Sequence, residues 1–362
     1  MTSLAVANFC TYNVGIFLGY GNGTFTQQHI LPTGNGSCPG SIALGDFNSD
    51  DFLDIAVANE ITANVGMFLG YGNGHFSQQK THSTGTGSLS QPLAVKDVSN
   101  DSRLDIVVAN FGDNNVGILF GYGGGNFTDQ MTFEIGSGTQ PIAVVVEDFN
   151  QENRLDIFVI NYQTFNVMIL LRDGSQPLLS MTTYSTGNNS HPQSMIISDF
   201  NNDSKLDIIV ANQGNDNIGM LLGYGDGTFM TQTTYSTKNG SKPCSLAYGD
   251  FNNDSMLDIA VANTGTNNVE IRQVRFSIAV SDFNNDNCLD IAVANLASKD
   301  VVLLFGDCKA TFGKLQSCAM DYGSQLYSIA VGDFNRDSWI DIAVANYGND
   351  EMKTLLQTCQ SS

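Results

Sequence analysis

Positive charge is scarce in this chain: 15 Lys plus Arg stand against 36 Asp plus Glu in 362 residues, a formal net charge of −21. No basic patch exists, so nucleic acid is excluded as a partner. Long apolar runs are missing too. No segment approaches the roughly 18 apolar residues that a membrane-spanning helix requires. Histidine is rare, with His29, His75, His82 and His191 in turns and loops and none of them repeated. No HExxH, GxSxG or phosphate-cradling glycine loop occurs, so the chain is not expected to be an enzyme. Cysteine occurs seven times, an odd number, without CxxC or zinc-like spacing. Cys308 and Cys318 flank one hairpin and have the spacing to pair. Cys38 and Cys244 fall in comparable loops, and Cys10, Cys288 and Cys359 have no equivalents in other repeats. Scattered thiols are the expectation for most of them.

What the chain has in abundance is one nonapeptide, Asp-Phe-Asn-x-Asp-x-x-Leu-Asp, beginning at Asp46, Asp97, Asp148, Asp199, Asp250, Asp282 and Asp333. The intervals are 51 residues except for one of 32, between Asp250 and Asp282. A fixed period of this length marks an array whose units bury their faces against one another.

One unit shows the local logic. Ser194-Met195-Ile196-Ile197-Ser198 leads into an acidic loop, and Ile208-Ile209-Val210-Ala211-Asn212 leads out of it. Both runs are β-branched or small and too short for helices. Ile218-Gly219-Met220-Leu221-Leu222 follows, then Gly223-Tyr224-Gly225-Asp226-Gly227 as a tight hairpin, with a fourth strand expected from Thr228-Phe229. Four short strands per unit predict an all-β, seven-bladed β-propeller of four-stranded blades, occupying residues 1–362 as a single domain. The strand before each acidic loop, such as Ser41-Ile42-Ala43-Leu44-Gly45, should line the centre. The short interval removes 19 residues after Asn263, so the blade around 250–277 should be truncated and present an exposed edge. Ser3-Leu4-Ala5-Val6-Ala7-Asn8 already matches the middle of a unit, which points to a fragment lacking its natural N-terminus and carrying no signal peptide. The segment around Phe25–Ile30 would supply the fourth strand of the last blade and latch the ring.

The nonapeptides carry the chemistry. A loop that folds back within nine residues can turn positions 1, 3, 5 and 9 toward one centre, with a carbonyl from position 7 as a further donor. Calcium takes about six to eight oxygens in tolerant geometry, water filling the remainder. The expected ligands of the first loop are Asp46, Asn48, Asp50 and Asp54, and of the second Asp97, Ser99, Asp101 and Asp105. The third would use Asp148, Asn150, Glu152 and Asp156, and the fourth Asp199, Asn201, Asp203 and Asp207. Asp250, Asn252, Asp254 and Asp258 follow in the fifth, then Asp282, Asn284, Asp286 and Asp290 in the sixth. The seventh has Asp333, Asn335, Asp337 and Asp341. Up to seven Ca2+ would bind, more weakly at the second loop (Ser99) and the third (Glu152). The alternative is an Asx-rich turn without metal. Three acids per loop in seven loops make 21 carboxylates, the size of the net charge. Carboxylates gathered at that density repel unless neutralised. At tenfold excess over a dissociation constant of about 0.1–1 mM, each ion adds about 1.4 kcal/mol, so seven add about 10, the scale of a whole domain's stability.

The strings Asp-Phe-Asn-x-Asp-x-x-x-Asp-Ile-Ala-Val-Ala-Asn and Leu-Gly-Tyr-Gly-Asn-Gly-x-Phe (Leu69 to Phe76) resemble the FG-GAP/VCBS repeat family over nearly the whole chain. The resemblance implies a propeller like the integrin α head with calcium in its hairpin loops, and roles in adhesion, glycan binding and extracellular recognition. Position 6, often glycine in that family, is Asp51, Ser102, Asn153, Ser204, Ser255, Asn287 or Ser338 here, and the Gly-Tyr-Gly turn becomes Arg172-Asp173-Gly174 and Gly306-Asp307-Cys308 in two units. The expected function is a non-catalytic, calcium-stabilised extracellular adhesion or recognition module with a protein or glycan ligand. A lectin-like propeller and an accessory domain of a secreted enzyme are the alternatives. Tyr20, Tyr71, Tyr122 and Tyr224 recur at one hairpin position. Blade packing is the favoured reading for them, sugar stacking the other. Eight N-x-Ser/Thr sequons, at Asn22, Asn35, Asn100, Asn126, Asn188, Asn202, Asn239 and Asn253, mildly support an extracellular setting.

Overall fold

The structure is a computed structural model and describes residues 3–9, 11–85, 87–172, 180–265, 277–295, 300–309, 311–320, 326–346 and 351–355. Within these, every regular element is a strand except one short 3-10 turn, Gln213–Asn215. The strands form a seven-bladed propeller of small antiparallel sheets. The first blade is Pro39–Gly45, Asp54–Asn59, Asn64–Phe68 and Lys80–Ser83, hydrogen-bonded in that order. The second, third, fourth and sixth blades repeat the four-stranded pattern. The strands that precede the acidic loops meet one another across blades, as expected of the central strands.

Alternation of side chains explains the packing. In Asp54–Asn59 every residue is buried, because a blade has a neighbour on each face. Ile55 and Val57 pack toward the N-terminal sheet with Val14, Ile16 and Leu31. Ala56 points the other way, into a cluster with Ile106, Val108 and Leu119 of the second blade. Each fully buried Ile or Val contributes about 1.5–3 kcal/mol. The core is therefore a series of layers between blades, seeded by the same Asp-Ile-x-Val-x-Asn strand.

A second recurrent contact ties neighbours together at the acidic loops. The phenylalanine at loop position 2 meets the hairpin phenylalanine of the next blade edge-on. Phe47 meets Phe127 at 5.8 Å, Phe149 meets Phe229 at 6.1 Å, and Phe251 meets Phe312 at 5.7 Å. The fifth blade is truncated as expected: among the described residues it has two strands, Pro243–Gly249 and Asp258–Asn263. The second of these is only partly buried where its equivalents are wholly so. Its residues 266–276 lie outside the described set. Among the described residues this blade offers no hairpin phenylalanine, and Phe200 meets Tyr248 at 5.6 Å.

Two expectations are corrected. The fourth strand of the Ser194 unit runs Thr233–Ser236, later than its expected start; Phe229 instead makes a lone bridge to Gly223 that closes the hairpin. The ring is not latched by a strand donated to the last blade. His29–Pro32 pairs with Asn13–Leu18, which pairs with Ser3–Asn8, so the N-terminal segment forms a three-stranded sheet of its own. That sheet docks on the seventh blade (Leu326–Gly332, Asp341–Asn346, Glu351–Leu355) through the same contact used elsewhere. Phe25 meets Phe334 at 5.6 Å, and the Gly23 N–H donates to the Phe334 carbonyl. Side-chain docking closes the ring where a shared strand was expected.

Candidate metal loops and the hairpin face

All seven nonapeptides form the same loop between the first and second strands of their blades. The carboxylate at position 1 is the organiser. Asp46 accepts the N–H of Asp50 at 3.1 Å and of Asp51 at 2.9 Å, and Asp97, Asp148, Asp199, Asp250, Asp282 and Asp333 do the same in their loops. The position-3 amide oxygen accepts the N–H of position 5, as from Asp50 to Asn48, Asp203 to Asn201 and Asp337 to Asn335. Asn252 and Asn284 repeat this with Asp254 and Asp286. Position 5 in turn accepts the N–H of position 7.

Folding nine residues this tightly forces two of them through left-handed backbone. Position 4 has φ between 56° and 63°, and position 6 between 59° and 70°, in every loop. None of these fourteen residues is glycine. Asn and Asp enter this region at modest cost, while the five serines (Ser49, Ser102, Ser204, Ser255 and Ser338), Gln151 and Arg336 do so at a higher one, on the order of 1–2 kcal/mol each. The loop conformation is thus maintained against local preference.

Position 9 stands apart. Asp54, Asp105, Asp156, Asp207, Asp290 and Asp341 are wholly buried. One oxygen of Asp54 accepts the Phe47 N–H at 2.9 Å and the other accepts the Gly70 N–H at 2.8 Å. Asp207 likewise joins Phe200 to Gly223, and Asp290 joins Phe283 to Gly306. Asp156 joins Phe149 to Arg172. In the second loop Asp105 takes the Ser99 and Gly121 N–H groups. This residue clasps the acidic loop to the hairpin of its own blade. Burial raises the carboxyls of Asp54, Asp105 and Asp207, the two backbone donors hold them down, and the carboxylates of the same loop push them up again. For Asp156 and Asp290 burial pushes the pKa up to about 6. The outer carboxyl of Asp46 behaves oppositely. Slight desolvation raises it, but backbone donors from Asp51, Asp50, Ser49 and Asn48 outweigh this and leave it below its ordinary value.

The sequence-expected ligands at positions 1, 3 and 5 are therefore brought together on the loop surface, and position 9 lies behind them. Among the described residues no three carboxylates converge as a metal centre does. The chemistry of the donor set still fits a hard cation: each loop offers only oxygens, three of them acidic. In the third loop the Asn150 side-chain oxygen is buried without a hydrogen-bond partner. Three loops also carry a base at position 7 that occupies the position-5 acid. Arg103 pairs with Asp101 at 3.1 Å, Arg154 with Glu152 at 2.9 Å and Lys205 with Asp203 at 3.6 Å. Sequence reasoning passed over these pairs, although position 7 was legible as Arg103, Arg154 and Lys205.

Two further expectations change. Cys308 bonds to Cys288, not to Cys318, with a Cα–Cα distance of 5.0 Å. Cys288 occupies position 7 of the sixth loop, opposite the hairpin turn where Cys308 stands; Cys318 is buried in the strand Phe312–Ala319. The hairpin tyrosines are not packing residues. Tyr20, Tyr71, Tyr122 and Tyr224 are 61%, 56%, 57% and 53% exposed, on the face that bears the acidic loops.

A family profile described as FG-GAP-like repeat matches residues 46–108, 97–159, 148–210, 199–261 and 282–344. No curated protein matches the chain. Solved structures share its fold at low identity. A lectin of Agrocybe aegerita, described as recognising non-reducing terminal N-acetylglucosamine, is 16% identical with a TM-score of 0.56, over 96% of this chain and 93% of its own. A streptogramin B lyase is 16% identical, TM-score 0.53, over 88% and 93%. Virginiamycin B lyase of Staphylococcus aureus with quinupristin is 12% identical, TM-score 0.51, over 98% and 99%.

Proposed function

We propose that this chain, which belongs to the FG-GAP-like repeat family, is a calcium-stabilised, non-catalytic propeller serving extracellular adhesion or recognition. The observation that carries the reading is the sevenfold repetition of one oxygen-only loop on one face, each copy held in left-handed backbone at two positions. Positions 1, 3 and 5 would hold the ion, with position 9 behind them. The ion would supply positive charge beside the carboxylates at positions 1 and 5 and would offset the strain of the loop. Its role here is structural, because the loops bring no nucleophile or general base into a cleft. The disulfide between Cys288 and Cys308 agrees with an oxidising, extracellular setting.

Thermal melting with and without a chelator tests this. The reading requires the melting temperature to fall by many degrees in EDTA and to return on adding calcium. An unchanged curve would sink it.

A glycan ligand is the second reading. Four exposed tyrosines at equivalent hairpin positions favour it, since an aromatic ring offers a flat stacking face. The fold likeness to the Agrocybe aegerita lectin supports it at the level of architecture. Glycan-array binding lost in Tyr71→Ala and Tyr122→Ala would favour this ligand class; array silence combined with capture of a matrix protein would favour a protein ligand.

A further inference from the structure

We propose that the face opposite the acidic loops is N-glycosylated at Asn35, Asn188 and Asn239. This rests on the extracellular reading above. The three asparagines occupy one equivalent place: the six-residue loop that leaves the outer strand of one sheet and enters the inner strand of the next, residues 33–38, 186–191 and 237–242. They lie three repeats and one repeat apart in sequence. All three are exposed.

The sequon alone is a weak sign here, because its hydroxyl has a structural use. Ser37, Ser190 and Ser241 are buried and share 2.7 Å hydrogen bonds with Thr33, Thr186 and Thr237. What the structure adds is the contrast among the asparagines. Four of the other sequons have their amides committed. Asn100 donates to the Asn153 carbonyl, Asn202 to the Ser255 carbonyl and Asn253 to the Cys308 sulfur, each across to the next blade. Asn126 donates to the Gly123 and Gly124 carbonyls. A glycan on the amide nitrogen of any of these would cost that hydrogen bond. At Asn35, Asn188 and Asn239, all exposed, no side-chain hydrogen bond is made among the described residues. Asn22 is exposed as well, but it stands in a hairpin on the acidic-loop side, where its neighbour Gly21 lies beside Arg336, outside this assignment.

The chemistry is a group transfer without redox change. The Asn Nδ2 bonds to the anomeric carbon of an oligosaccharide carried on a lipid pyrophosphate. The bond from that carbon to the pyrophosphate oxygen breaks, the lipid pyrophosphate leaves, and Nδ2 loses one proton. The consequence is a sided molecule: glycans cover the inter-blade loops, and the face with acidic loops and tyrosines stays open to a ligand.

The test is secretion of the full chain, behind a cleavable leader, from eukaryotic cells. Intact mass is measured before and after peptide-N-glycosidase, and glycosidase treatment in heavy-oxygen water maps each converted asparagine. The expected result is conversion of Asn35, Asn188 and Asn239, with N35Q, N188Q and N239Q each losing one glycan's mass, and no conversion at Asn100, Asn202 or Asn253. A secreted chain with an intact Cys288–Cys308 bond and unconverted Asn35, Asn188 and Asn239 overturns the proposal and leaves the extracellular reading standing. A chain retained in the cell with Cys288 and Cys308 as thiols contradicts that reading, and the proposal with it.

Discussion

Two kinds of aspartate share each acidic loop, and burial separates them. Asp203, at position 5, is exposed and pairs loosely with Lys205, while Asp207, at position 9, is buried and holds two backbone N–H groups. Asp203→Ala should leave the folded chain nearly as stable in chelator as wild type and weaken one calcium site. Asp207→Ala should cost roughly 3 kcal/mol even in chelator, because it orphans the Phe200 and Gly223 N–H groups. Chelator melts of both variants separate the roles; equal losses would mean that position 9 is only a ligand. The left-handed residues allow a second residue-scale prediction. Ser204 has φ 64°. Ser204→Gly should raise stability in chelator by about 1 kcal/mol, the cost of left-handed backbone for a residue with a Cβ less the entropy of glycine. Denaturant unfolding reads this directly, and a destabilised variant would show that the loop is not strained. The nonapeptide made the donor set legible, residue by residue. It could not show that position 9 is shared with the hairpin, since the Gly223 N–H lies 16 residues further along the chain.

At the scale of the element, the blade is one antiparallel sheet whose acidic loop and hairpin meet at the same end. The sixth blade staples that meeting covalently. Cys288 to Cys308 closes a separation of 20 residues, worth about 3 kcal/mol by chain entropy. Cys288→Ser should lower the unfolding free energy by roughly 2–4 kcal/mol, measured by denaturant titration. No change would mean that the bond is not formed in the folded chain. Sequence spacing suggested Cys308 and Cys318, which flank a hairpin; the actual partner is set by loop position 7, which faces the hairpin turn. Strand existence was legible because Asp-Ile-x-Val-x-Asn is short, β-branched and buried on both faces. Strand starts were less so. The Thr-Phe after the hairpin reads as the beginning of a strand, yet Phe229 turns inward to meet Phe149, and regular pairing resumes only at Thr233.

At the scale of the molecule, the period of 51 residues sets the propeller, and each departure from it has a local remedy. The fifth blade shows two strands among its described residues, and there Tyr248 meets Phe200. The ring closes where Phe25 offers the seventh blade the contact that Phe127, Phe229 and Phe312 offer their neighbours. That closure was hidden in the sequence, where a lone Phe-rich hairpin gives no sign of which sheet its strands will join. The tyrosines were misjudged for a related reason. Periodicity says that a residue faces the same way in each unit, and burial decides which way that is.

Calcium at the acidic loops is proposed to hold the ring together. Calorimetric titration of the metal-free chain with calcium tests it most directly. Up to seven sites are expected, weaker at the second and third loops, with one site lost in Asp250→Ala. Heat indistinguishable from dilution, at calcium concentrations well above a millimolar, would contradict it.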